Sequence, residues 1–244
     1  METIVSECAY WSKDAYTLKL ASVLPDDEHC YYLHDPGTDA QAFVIQETER
    51  TIVAFRGSTT TVDWLHDFQI WRKSARYLKN AWVHAGFLKQ YDTLRDQILS
   101  KIQRDKPIIC CGHSLGGALS TIAALDLSLN SNKNTAKPLH VTCCTFGSPR
   151  VGSAFFRTLF DKHVNCSKRC VFKKDPITFT PLPIRFRHVA GVQYFDENGL
   201  LSKESKESQS DECRCLVGCS AGHHSLDMYI LGIKTNAVCT KGMY

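Results

Sequence analysis

Short apolar runs and longer stretches with helical spacing alternate along the chain. Residues 51–55 read TIVAF, a β-branched run of strand length. Phe87, Tyr91, Leu94, Ile98 and Ile102 then recur at helical spacing on one face, and Pro107 opens a second apolar run, PIICC. Leu115 to Leu129 is apolar nearly all round, as in a helix packed against a sheet, and it gives way to the turn-rich NSNKNTAKP. VTCCTF, from Val141, is apolar throughout, the pattern of a strand covered on both faces. Strand and helix in alternation predict an α/β protein with a mostly parallel central sheet and helices on both faces. Beyond Val189, the run AGVQYF, the turn pair Asn198-Gly199 and Leu200-Leu201 predict a hairpin at the sheet's end. SKESKESQSDE, from Ser202, is polar and low in complexity and predicts an exposed loop without chemistry at about 202–211.

Composition narrows the class. At 244 residues the chain has the length of one α/β domain, so residues 1–244 are expected to form a single domain. Hydrophobic residues at 43% and charged residues at 22% fit a globular protein and exclude the disordered and membrane classes. No stretch reaches the roughly 20 apolar residues of a membrane span. Glu2, Glu7, Lys13 and Asp14 stand where an export leader needs an unbroken apolar run, so the expectation is a cytoplasmic protein, working at membrane or lipid-droplet surfaces. A net charge of +4 gives no concentrated basic face for nucleic acid. The basic cluster Arg72, Lys73, Arg76 and Lys79 reads as a solvated helix face.

The 12 cysteines permit disulfides in an oxidising compartment, but sequence alone does not pair them. Cys110, Cys111, Cys143 and Cys144 lie in strand-like runs and read as packing residues. Cys213, Cys215 and Cys219 lie close to His223 and His224, yet C-x-C and C-x3-C spacings fit structural zinc patterns poorly.

The chemistry concentrates at Gly112-His113-Ser114-Leu115-Gly116, a G-x-S-x-G segment between the PIICC strand and the apolar helix. A serine on a sharp strand-to-helix turn projects its hydroxyl, and glycines on either side let the helix fold back without collision. The same serine also reads as a helix N-cap. A serine nucleophile needs a base, and that base needs a carboxylate to fix its tautomer. Among downstream acids, which include Asp126, Asp161 and Asp196, only Asp175 follows an apolar strand-like run and precedes a proline-rich turn, the position of a site residue at a strand's C-terminal end. His188, His223 and His224 all follow it.

GHSLGGAL (Gly112 to Leu119) resembles the nucleophile segment of the class 3, fungal-type lipase family of the α/β-hydrolase fold. VAFRGS, DW at Asp63-Trp64, VHAGF, TFGSPRVG (Thr145 to Gly152), DPI with PLP (Asp175 to Pro183) and HVAG (His188 to Gly191) resemble further family motifs in the same order, from roughly residue 40 to residue 232. The resemblance implies a carboxylic ester hydrolase acting on acylglycerols or related lipids, with no metal and no cofactor. Ser114 is then the nucleophile, Asp175 the orienting acid and His224 the base, because His224, Leu226 and Tyr229 match the family's H-x-L-x-x-Y. It assigns the oxyanion hole to Ser58 and the backbone N–H of Leu115. The lid falls at about 59–73, where Leu65, Phe68 and Trp71 share an amphipathic face and are the expected substrate-side residues. The expected partners are a lipid ester and a transient lipid–water interface, with no nucleic acid. Two departures stand out: Lys174 replaces an Asn that often precedes the acid, and the polar loop is an insertion before the histidine. The alternative is a catalytically silent lipase-like signalling or scaffold protein, since fold alone proves no activity.

Overall fold

A computed structural model describes residues 2–17, 29–58, 71–130, 139–172, 175–196, 198–201 and 220–241. Its central element is a seven-stranded sheet in the order β1-β2-β3-β6-β7-β8-β9. β1 (Cys30–Asp35), β2 (Ala40–Gln46) and β3 (Thr51–Phe55) form an antiparallel meander, and β3, β6 (Ile108–His113), β7 (Val141–Phe146), β8 (Cys166–Phe172) and β9 (Val192–Phe195) run parallel. The expected mostly parallel sheet with helices on both faces is what the chain forms.

The central parallel strands β3, β6 and β7 are buried along their whole length because both faces of the sheet are covered there. Val53, Phe55, Ile108, Cys110, Val141 and Cys143 face one core with α2 (Ala85–Lys101), α3 (Leu115–Leu129) and α4 (Ala154–His163). Ile52, Ala54, Ile109, Cys111, Cys144 and Phe146 face the other with α1 (Glu2–Thr17) and α5 (Leu226–Lys241). Alternation survives in the contacts although the sequence hides it. The buried carboxylate of Asp126 joins α3 to α2: it accepts from Tyr91 (2.7 Å), Arg95 Nε (2.7 Å) and Asn130 (2.6 Å), so this acid is committed to structure. The four cysteines read as packing residues are buried free thiols.

Two local expectations are corrected. Arg72 and Lys73 lie in a strand, β4 (Arg72–Ser74), paired antiparallel with β5 (Trp82–His84), and Arg76 in the 3-10 turn Arg76–Leu78, rather than on one helix. Cross-strand pairing with Trp82–His84 overrides the helical propensity of this basic segment. The AGVQYF run becomes strand only from Val192, the start of β9, because Gly191 sits at φ +86° with its Cα against the Ser167 carbonyl, where a Cβ would come within 2.2 Å. The Asn198-Gly199 turn does close back on β9 through a Phe195–Leu201 bridge. Leu65 and Phe68 of the amphipathic segment, the loop at 202–211, Lys174, and Cys213, Cys215 and Cys219 lie outside the described residues. Trp71 is described and is 69% exposed.

Candidate active site

Ser114 stands between β6 and α3 with φ 57° and ψ −124°, a region that costs a non-glycine residue about 1–3 kcal/mol. The turn is held because its glycines are irreplaceable: a Cβ at Gly112 would lie 2.4 Å from the Gly116 carbonyl, and one at Gly116 would lie 2.3 Å from Phe55 O. The Ser114 N–H donates to Phe146 O at 2.9 Å, so β7 fixes the elbow from the side. No side-chain cap bond forms, and the N-cap reading therefore has no hydrogen bond behind it. Leu115 is the first residue of α3, where a backbone N–H has no intrahelical acceptor. Ser58 follows β3 and is half-buried.

Asp175 follows the C-terminal end of β8 and caps the 3-10 turn Pro176–Phe179, accepting the Ile177 N–H at 2.9 Å. That turn is pinned by the buried Arg150, which donates to the carbonyls of Phe179 (2.5 Å) and Pro181 (3.0 Å). His224 ends the 3-10 turn Ala221–His224 just before α5. Its Nδ1 lies 3.0 and 2.9 Å from the two Asp175 oxygens. A carboxylate only accepts, so Nδ1 carries the proton and Nε2 is the basic nitrogen of the neutral ring. Tyr229 adds a third contact: its hydroxyl donates to Asp175 Oδ2 at 2.5 Å and accepts from the Phe172 N–H at 3.3 Å. Burial first, and then the neighbouring Asp175 charge, push the Tyr229 phenol well above its ordinary range, so it stays a donor.

Gly147 draws these pieces together. It follows Phe146, which holds Ser114, and at φ +58° a Cβ there would lie 2.6 Å from Asp175 Oδ2 and 3.0 Å from His224 Nδ1. Histidine and carboxylate thus meet at one glycine of the TFGSPRVG segment, directly after the strand residue whose carbonyl holds Ser114. Ser114 Oγ and His224 Nε2 are both buried, and neither has a hydrogen-bond partner among the described residues. Buried polar atoms are seldom left unpaired, and sites that bind or react are where they persist.

The other histidines are differently placed. His188 donates Nε2–H to Thr178 O at 2.7 Å, and burial followed by Arg169 and Arg150 drives it well below its usual range. His223 is half-buried beside His224 and makes no contact with Asp175 among the described hydrogen bonds. His113, which adjoins the serine, is bonded through Nε2 to the carbonyl of His224 at 2.7 Å and through Nδ1 to Tyr16 at 2.9 Å. Tyr16, His113, Gly147 and the Asp175 contact of Tyr229 were not assigned from sequence. The histidine inside GHSLG and the tyrosine of H-x-L-x-x-Y were the available signals.

Burial, and secondarily the nearby His224, lower His113 to about 3. Its folded-state value lies below the unfolded one, so as pH falls below about 6.5 the unfolded chain takes up a proton that the native chain refuses. Stability is complete above that pH and declines by up to ~1.4 kcal/mol per pH unit for this group as pH drops toward its folded value. His188 acts with the same sign. Urea midpoints measured from pH 7 to pH 4 are expected to fall steeply, and His113→Gln to fall less steeply; parallel curves would remove His113 as a source.

Comparisons with known proteins identify the family and the fold. The model of the family lipase (class 3) matches residues 52–184. Secreted mono- and diacylglycerol lipase 1 of Fusarium solani is 27% identical over 215 residues, covering 83% of this chain and 62% of the relative. A chloroplastic phospholipase A1 of Arabidopsis thaliana is 34% identical over 157 residues, covering 53% of this chain and 33% of the relative. The chain therefore spans less than two thirds of the length of these curated relatives. Among solved structures, the triacylglyceride lipase of Rhizomucor miehei superposes with a TM-score of 0.73 at 20% identity, over 96% of this chain and 98% of that one. The fold is that of the α/β-hydrolase lipases. The secreted Fusarium relative runs against the cytoplasmic expectation, and among the described residues no helix is long and apolar enough to cross a membrane.

Proposed function

This chain belongs to the class 3 lipase family, and we propose that it is a serine ester hydrolase cleaving carboxylic esters of acylglycerols or related lipids through an acyl-enzyme on Ser114. The observation that carries this reading is the buried His224–Asp175 pair, which leaves Nε2 basic, together with a strained, buried serine whose hydroxyl, like Nε2, has no hydrogen-bond partner among the described residues.

In the first step Ser114 Oγ attacks the ester carbonyl carbon while His224 Nε2 takes its proton, and Asp175 stabilises the imidazolium. The carbonyl oxygen becomes an oxyanion received by the backbone N–H of Leu115 at the helix N-terminus and by Ser58, donors that gain most where charge develops. Collapse expels the alcohol, which leaves with the proton from His224. A water deprotonated by His224 then attacks the acyl-enzyme, releasing the carboxylic acid and restoring Ser114.

The relatives' names cover mono- and diacylglycerols and phospholipids, so the test is a panel of glycerides and phospholipids with fatty acid release read by mass spectrometry. Release from at least one lipid by wild type and none by Ser114→Ala is expected. No release from any lipid by folded protein favours the silent scaffold.

We place the activity at a lipid surface rather than in a named compartment. Cys8, Cys110, Cys111, Cys143, Cys144 and Cys170 are buried free thiols, as in a reducing compartment, whereas the Fusarium relative is secreted. Trp71 and Trp82 are 69% and 48% exposed, and the Arg72 guanidinium stands 5.6 Å from the Trp82 ring, a pairing of apolar and cationic groups suited to headgroups. The segment at about 59–73, whose sequence spaces Leu65, Phe68 and Trp71 at helical intervals, is the proposed lid, and its last two residues belong to β4. Burial of each such side chain in lipid contributes about 1.5–3 kcal/mol. Hydrolysis of a short-chain ester is therefore expected to rise sharply past its solubility limit in wild type and to lose that rise in a Leu65→Ser, Phe68→Ser double variant. Equal, smooth saturation in both contradicts the lid.

A further inference from the structure

His113 directly precedes the candidate nucleophile, is buried, and makes two hydrogen bonds whose direction is fixed by chemistry. The atom 2.7 Å from its Nε2 is the main-chain carbonyl oxygen of His224, which only accepts, so Nε2 carries the ring proton. Nδ1 is then a lone pair, and the Tyr16 hydroxyl at 2.9 Å must donate to it. A one-way chain results, from the Tyr16 O–H to Nδ1 and from Nε2–H to the carbonyl of His224.

The surroundings allow no other seating. The two imidazole rings pack at 4.6 Å between centroids. A Cβ at Gly57 would fall 2.0 Å from the Tyr16 hydroxyl and 2.6 Å from the His113 carbonyl, so Tyr16 reaches this place only across a glycine, next to Ser58. Burial lowers His113 and raises Tyr16, and both remain neutral through the ordinary pH range, which keeps the chain's direction.

We infer that Tyr16 and His113 are positioning residues for the reaction proposed above: from α1 and β6 they clamp the backbone of the turn that presents His224, and so aim its Nε2 at Ser114. The need for a clamp follows from how His224 is carried. It ends a 3-10 turn of four residues, not a long helix, and among the described residues the hydrogen bonds of its side chain all run from Nδ1 to Asp175. A ring held at one nitrogen can pivot, whereas fixing its own carbonyl as well removes that freedom. A misplacement of about 1 Å at a reacting atom costs on the order of 100-fold in rate.

The inference rests on Ser114 and His224 being the reacting pair, and the experiment separates the two ideas. His113→Gln keeps an amide N–H near the place of Nε2, whereas His113→Leu fills similar space without a donor. With a soluble short-chain ester, His113→Leu is expected to lower kcat by about 100-fold with KM within about twofold, His113→Gln by no more than about fivefold, and Tyr16→Phe by about tenfold. Rescue by Gln is the readout that simple packing does not produce. Equal losses in Gln and Leu, or none in Leu, overturn the clamp.

Nitrogen-15 NMR of the wild-type imidazoles supplies a measurement independent of turnover and of whether the Leu variant folds. His113 is expected as the Nε2–H tautomer without protonation down to about pH 4, given its lowering to about 3. An Nδ1–H tautomer, or titration near the ordinary value, also overturns it. Failure of the wild type to react with any ester defeats the hydrolase reading instead and leaves the tautomer result standing.

Discussion

Ser114→Ala and His224→Ala are each expected to reduce ester turnover by about 10⁶-fold, and the double variant to be no worse than either single one. The non-additivity follows from the geometry. Without Nε2 the buried hydroxyl keeps its proton and is a poor nucleophile; without the hydroxyl, a basic Nε2 has nothing to deprotonate that can form the acyl-enzyme. Either substitution removes the same step. The rate left over, about 10³–10⁴ above the reaction in water, would come from the Leu115 and Ser58 donors and from substrate binding. Alanine at 114 inherits φ 57° without new contacts, so the fold is expected to persist, as far-ultraviolet circular dichroism and the thermal midpoint will report. Turnover within tenfold of wild type in either folded variant contradicts the assignment.

Asp175→Asn is expected to lower kcat by about 10⁴-fold while the protein stays folded. Every hydrogen-bond partner of this side chain among the described residues is a donor: the Ile177 N–H and Nδ1–H of His224 on Oδ1, the Tyr229 hydroxyl and the same Nδ1–H on Oδ2. A carboxylate satisfies all of them because it accepts at both oxygens. An amide presents N–H groups at one end. Turned toward Tyr229 it meets a hydroxyl already taking the Phe172 N–H, and turned toward His224 it drives the ring to the tautomer with Nε2 protonated. That tautomer cannot accept the serine proton. Tyr229→Phe removes one donor and leaves the carboxylate, so its effect is expected to be about tenfold. The comparison of kcat for Asn, Phe and wild type reads both; Asp175→Asn within tenfold of wild type excludes this acid.

β3, β6 and β7 were legible because they are apolar runs buried throughout, and Leu115–Leu129 was read to its ends, whereas β8 was read only at its CVF end because Ser167, Lys168 and Arg169 break the pattern. The antiparallel meander of β1 and β2 was not. β2 is buried on six of its seven positions and β1 on only one, so neither shows the alternation that marks a strand from sequence. The basic segment at 72–79 was misread because cross-strand pairing with Trp82–His84, invisible along the chain, outweighs local propensity.

For the site, G-x-S-x-G in its strand-turn-helix setting pointed to Ser114, and the carboxylate after CVF pointed to Asp175. His224 needed the resemblance, since three histidines follow the acid. Tyr16 lies 97 residues from His113, and Tyr229 lies 54 from Asp175; no spacing rule joins such partners until the sheet brings α1, β6 and α5 together. Lys174, Leu65 and Phe68 fall outside the described residues, and their parts rest on sequence alone.

The most direct test of Ser114 as an activated nucleophile is labelling of the folded wild-type chain with a fluorophosphonate, followed by peptide mapping. A covalent adduct on the peptide carrying Gly112 to Gly116 is expected at Ser114, absent from Ser114→Ala and strongly slowed in His224→Ala. Folded wild-type protein that takes no label, or takes it at another serine, would contradict the nucleophile and the hydrolase function with it.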